Sequence, residues 1–172
     1  GLLLGIFEDG EIELCRIAQT INPSYLCINK VNKKIYAVNE TKIFQGKRGG
    51  AVTQFSYNIN GELLQEACFY TDGEDPCHIA SSLDGKCLAI ANFASGSLSV
   101  FELNEHGNIT GKKNLFQHTG KIIRHMVLLQ NVVSAVVQGN VQRVLVHRNI
   151  SIIDKAVDHG HLPFEKDHQI GK

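Results

Sequence analysis

The chain has 172 residues, 43% hydrophobic and 20% charged, and its seventeen basic side chains balance seventeen acidic ones. Such a composition fits one soluble globular domain that buries roughly 70% of its unfolded surface. A net charge of zero excludes a field that would steer the chain to nucleic acid or an anionic membrane.

No apolar run approaches the ~18 residues of a membrane span, and the opening Gly1-Leu2-Leu3-Leu4-Gly5 is too short for a signal segment and lacks a basic flank. The chain opens with glycine instead of methionine, which reads as a processed, engineered or partial chain. Five cysteines (Cys15, Cys27, Cys68, Cys77 and Cys87) form an odd set without a C-x-x-C pair, most of them inside apolar runs. They read as reduced thiols in a cytoplasmic protein, neither a disulfide framework nor a zinc site.

In chain order, residues 1–20 read as two strands closing a sheet, because Gly10-Glu11-Ile12 matches Gly61-Glu62-Leu63. Four short runs follow, at residues 24–29, 34–40, 51–58 and 63–71. Each is rich in β-branched, aromatic and aliphatic residues, and Asn, Gly, Lys and Asp turn chemistry separates them. Pro23 stands just before the first run, where a missing N–H removes no ladder bond.

The chain then repeats itself. Asn22-Pro23 aligns with Asp75-Pro76, Leu26 with Ile79, Ile35 with Leu88 and Asn39 with Asn92, all 53 residues apart, whereas residues 50–63 match 96–109 at an offset of 46. The seven-residue difference is an insertion within residues 41–48. A period near 50 with four strands per unit describes β-propeller blades, here spanning about 22–71 and 75–119. Blades pack face to face, so each sheet should be apolar on both sides. A closed propeller needs typically 4 to 8 blades, so the fold class expected is all-β, an open arc of four-stranded antiparallel blades in a single domain over residues 1–172.

Beyond residue 120 the chain is still strand-like, with Gly139-Asn140 suited to a hairpin turn, Val127 to Val137 exposed to edge pairing, and a polar tail to follow.

Asn22-Pro23-Ser24, Tyr36-Ala37-Val38-Asn39-Glu40, Pro76-Cys77-His78, Asp84-Gly85, Ala91-Asn92-Phe93 and Gln117-His118 occur in this order. In that set the chain resembles the seven-bladed β-propeller lactonases, the family of 6-phosphogluconolactonase and carboxy-cis,cis-muconate lactonising enzymes. Phe93 stands where that pattern has Tyr, and after Gly120 the resemblance stops. The resemblance implies hydrolysis of a sugar-acid lactone in carbohydrate metabolism, with a small-molecule lactone as partner and no cofactor. It implies neither nucleic acid nor membrane as partner. An arc of blades also raises self-association, or another chain that completes the ring. The alternative function is a non-catalytic propeller segment that binds a protein.

Lactone hydrolysis needs a base for water and donors for an oxyanion. Histidine suits the first at neutral pH, and Asn amides can serve the second. His78, His118 and Glu40 are the acid/base candidates; Asn39, Asn92, Gln117 and Arg48 are the substrate-binding candidates. A slot shared by both blades can serve the blade itself, so Asn39 and Asn92 also read as caps of the turns that follow them. No metal is expected: the C-terminal His147, His159, His161 and His168 read as a solvated tail. Cys77 has no base at a recognisable spacing.

Overall fold

The computed structural model describes residues 1–58, 62–117, 123–129, 132–137 and 140–145. Fifteen strands and no helix occur among them. A hairpin of β1 (Leu2–Glu8) and β2 (Glu11–Ala18) opens the chain. The first four-stranded sheet then runs in the order β3 (Pro23–Asn29), β4 (Lys34–Asn39), β7 (Ala51–Tyr57), β8 (Leu63–Tyr70).

Between β4 and β7 the chain makes a hairpin of β5 (Ile43–Phe44) and β6 (Lys47–Arg48). Gln45 and Gly46 both take positive φ there, 48° and 80°, the paired left-handed geometry of a two-residue turn matched to strand twist. This hairpin is the insertion expected within residues 41–48.

The second four-stranded sheet is β9 (Pro76–Ser81), β10 (Cys87–Asn92), β11 (Ser97–Leu103) and β12 (Ile109–Gln117). All ladders in both sheets are antiparallel. Strand starts repeat as the alignment requires, since β9 begins 53 residues after β3 and β11 begins 46 after β7. A third sheet holds β13 (Ile123–Leu129), β14 (Val132–Val137) and β15 (Asn140–Leu145). β9 packs beside both β3 and β13, so the first strands of three successive sheets stand side by side, as around a propeller axis.

Packing explains the apolar character of both faces. On β4, Tyr36 and Val38 join Val52, Ile79, Leu88, Ile90 and Phe101 in a core between the two four-stranded sheets. The alternate residues Ile35 and Ala37 join Phe55 and Leu2 in a second core on the opposite face, against the first hairpin. The period-2 alternation of a strand therefore feeds two cores. Each fully buried large apolar side chain contributes roughly 1.5–3 kcal/mol.

Two expectations are corrected. β3 is not covered on both sides: Tyr25, Leu26 and Ile28 are 44%, 41% and 47% exposed. Among the described residues only a two-stranded hairpin precedes this sheet, and it covers the β4 and β7 residues. Within the segment Val127 to Val137, residues Val132 to Val137 form a central strand with ladders on both sides and are no free edge, whereas Val127 to Leu129 belong to β13, an outer strand of its sheet. Asn140 pairs with Val137 as a strand residue, and Gly139, its expected turn partner, lies outside the described residues. So do residues 146–172, including the histidine tail.

Candidate functional site

Register brings the candidate residues to one rim of the sheets. Pro23 pairs with Asn39 and Asn39 with Ala51, which in turn faces Tyr70. In the second sheet Pro76 pairs with Asn92, Asn92 with Ser97 and Ser97 with Gln117. Asn39, Glu40, Arg48, His78, Asn92 and Gln117 thus all belong to the rim where β3 and β9 begin, although they span 79 residues of sequence (39 to 117). His118 lies outside the described residues.

His78 is the third residue of β9, opposite Ala91, and only 8% exposed. Its ring lies 4.2 Å, centroid to centroid, from that of Tyr25, tilted by 35°. The two residues occupy the same slot of successive blades, and side-by-side first strands make such slots neighbours. Ser24 Oγ, also on β3, donates a long hydrogen bond to the Pro76 carbonyl at 3.5 Å.

Glu40 follows β4 and is half-buried. Its N–H donates to the Asn22 carbonyl at 3.0 Å, and the equivalent Phe93 N–H donates to the Asp75 carbonyl at 2.8 Å. Asn22 and Asp75 both hold positive φ, 37° and 51°, which Asn and Asp tolerate better than most residues. The backbone role of this slot is common to both blades; the side chains are free to differ.

A carboxylate group gathers here that the sequence did not reveal. Burial raises the Asp75 carboxyl, Lys42 acts against that rise, and Glu40 and Glu74 add to it. Arg48, on the insertion hairpin, donates from Nε to Glu74, although its side chain remains 86% exposed. Lys47 Nζ sits 4.5 Å above the Tyr70 ring. The rim therefore carries three cations (Lys42, Lys47 and Arg48) among three carboxylates. Only the position of Asp75 in the Asn22 slot hinted at this cluster.

The two asparagines serve the blades. Asn39 is fully buried: Nδ2 donates to Thr20 Oγ1 at 2.8 Å and to the Ile21 carbonyl at 2.6 Å, while Oδ1 accepts from Thr53 Oγ1 at 2.7 Å. Asn92 is equally buried, with Nδ2 donating to Ser97 and Ser99 hydroxyls at 3.1 and 2.9 Å. Its Oδ1 has no hydrogen-bond partner among the described residues. Ser99 is the counterpart of Thr53, but Gly73 takes the place of Thr20, and the Asn92 amide fills the space a side chain at 73 would need. Both Nδ2 groups are engaged within the fold, Asn39 with the segment before β3 and Asn92 with the serines across the turn that follows it. Gln117 ends the outermost strand, three strands away from β9 in its sheet.

A cavity of about 430 Å³ lies between β1 and β3, lined by Gly1, Leu2, Leu3, Pro23, Ser24, Tyr25 and Leu26. It carries none of the acid/base candidates and meets them only through Tyr25. Among the described residues no group of three or more His, Cys, Asp or Glu side chains could hold a metal ion.

A family model described as lactonase, 7-bladed beta-propeller, matches residues 7–127. The chain is 32% identical over 100 residues to a 6-phosphogluconolactonase of Bacillus subtilis, covering 58% of this chain and 28% of that protein. It is 29% identical over 142 residues to a 6-phosphogluconolactonase of Formosa agariphila, covering 81% of this chain and 36% of that one. The chain thus spans about a third of the length of these curated relatives. A periplasmic gluconolactonase of Pseudomonas aeruginosa superposes with a TM-score of 0.73 at 22% identity, over 83% of this chain and 45% of that one.

Proposed function

Because the chain belongs to the family of seven-bladed β-propeller lactonases, we propose that it is the part of a lactone hydrolase that carries an acid/base histidine, acting on a sugar-acid lactone of the 6-phosphogluconolactone type. The observation that carries this reading is His78. It is a largely buried imidazole on a first strand, at the rim where the family-matching Asn39-Glu40 and Ala91-Asn92 segments also end.

In the proposed reaction His78 accepts a proton from water as the water attacks the lactone carbonyl. The ring C–O bond then breaks, and the leaving alkoxide takes up a proton. Proton transfer of this kind is worth roughly 10²- to 10⁴-fold in rate. Glu40 and His118 remain candidates for the second proton transfer, and Lys42 and Arg48 supply positive charge for a phosphorylated or carboxylated substrate. A sugar-acid substrate would belong to carbohydrate metabolism, and Cys27, Cys68, Cys77 and Cys87, which stand outside any disulfide, favour a reducing, cytoplasmic setting.

Hydrolysis of 6-phosphogluconolactone above the spontaneous rate, lost in His78→Ala, is the expected result. Turnover that survives His78→Ala and His118→Ala together would overturn the assignment. Absence of turnover by the 172-residue chain would favour a protein-binding role for this part of the molecule.

A further inference from the structure

We propose that Tyr25 is the positioning residue for His78, an inference that rests on the lactonase reading for its kinetic arm only. The two rings occupy one slot in successive blades and lie 4.2 Å apart at 35°. Their surroundings differ: His78 is 8% exposed, whereas Tyr25 is 44% exposed and lines the cavity beside β1. Tyr25 is therefore the outer of the two rings and shields one face of the imidazole from solvent.

Such a slab restricts rotation of the imidazole about its Cβ–Cγ bond, while β9 fixes the backbone through the pairing of His78 with Ala91. An imidazole that serves as a base must present one nitrogen to water within hydrogen-bond reach, so the order imposed by the neighbouring ring enters the rate. Tyr25 itself contacts no reacting atom in this scheme. Packing alone does not explain a large aromatic ring here, because Tyr25 lies outside both buried cores and is nearly half exposed.

The test uses Tyr25→Ala, Tyr25→Leu and Tyr25→Phe in the 172-residue chain, with two readouts. The first is the rate at which diethyl pyrocarbonate modifies His78, followed by peptide mass spectrometry. The second is kcat and KM for 6-phosphogluconolactone. An aromatic pair of this kind is worth roughly 2- to 10-fold in an equilibrium or rate. Tyr25→Ala and Tyr25→Leu are thus expected to speed modification and lower kcat by about that factor with KM nearly unchanged. Tyr25→Phe is expected to restore both. Unchanged modification in Tyr25→Ala would overturn the proposal, as would faster modification with unaltered kcat, or a Tyr25→Phe variant as impaired as Tyr25→Ala. If the wild-type chain shows no turnover, the lactonase reading falls, and the modification rates alone decide whether Tyr25 covers His78.

Discussion

Gly50 shows how a single atom sets the contact between blades. Its φ is unremarkable, yet a Cβ there would lie 2.2 Å from Pro76 Cδ and 2.7 Å from the Asn39 carbonyl oxygen. Gly50 N–H also donates to the Gly73 carbonyl at 2.8 Å. Gly50→Ala must push the start of β9 away from the end of β4, and overpacking of this sort costs typically 1–3 kcal/mol; a shift of the denaturation midpoint measures it. The asparagine pair yields a second expectation. Asn39→Ala strands the Thr20, Ile21 and Thr53 partners and is expected to cost about 1–3 kcal/mol. Asn92→Ala removes an amide whose oxygen is already unpartnered and is expected to cost less. Thermal melts in the opposite order would show that the two slots are not built as described. Cys27 offers a third. Burial, only partly opposed by a backbone hydrogen bond with Ser81, pushes its thiol up to about 12, so it should resist alkylation until the protein unfolds.

At the scale of the strand, the ladder of β4, β7 and β8 carries an ion pair whose sign with pH can be worked out. Lys34 Nζ donates to both Glu66 carboxylate oxygens at 2.6 Å, and Gln54 Nε2 donates to the same group. Burial raises the Glu66 carboxyl, but the hydrogen bonds from Lys34 and Gln54 outweigh it and leave it below its usual range. A depressed carboxylate contributes stability that is present above its unfolded value of about 4.3 and is lost as pH falls through the folded value. Denaturation midpoints should therefore fall below about pH 4.3, and Glu66→Gln should flatten that slope. Asp75, raised by burial, has the opposite sign: its charged form opposes folding at neutral pH. Asp75→Asn, which keeps a residue tolerant of positive φ, is expected to be slightly stabilising there.

Strands were the legible part of the sequence. The run of residues 34–40 became β4 over Lys34–Asn39, and that of residues 63–71 became β8 over Leu63–Tyr70. Alternation and turn residues are local signals, and the repeat supplied the register between distant segments. The site was legible only as positions on a rim. The burial of Asn39, the Asp75 cluster and the Tyr25–His78 stack depend on which blade lies next to which, and no single period encodes that.

For the molecule as a whole, the pattern of cover is uneven. Leu3, Phe7, Ile12 and Leu14 of the first hairpin are each more than half exposed, and the register of β1 on β2, with Phe7 opposite Ile12 and Gly5 opposite Leu14, sets them on one face, an apolar display of the kind soluble monomers rarely keep bare. The isolated 172-residue chain is thus expected to bind a hydrophobic dye and to sediment with a concentration-dependent mass. A monomer of fixed mass with one sharp melting transition would contradict this. Turnover by the chain alone is expected to be weak compared with its full-length relatives, because it spans about a third of their length.

The two rims of the sheets divide the labour of the fold. Where β3 and β9 begin lie histidine, carboxylates and cations. At the other end Tyr36 donates its hydroxyl to the Gly107 carbonyl, and Gln54 bridges Glu66, Asn108 and the Ile109 N–H. That second network clamps one blade to the next without touching the residues proposed for chemistry. Such insulation gives the scaffold latitude: a change of specificity can be selected at one rim while losses in stability are made good at the other, and neither search has to wait for its counterpart.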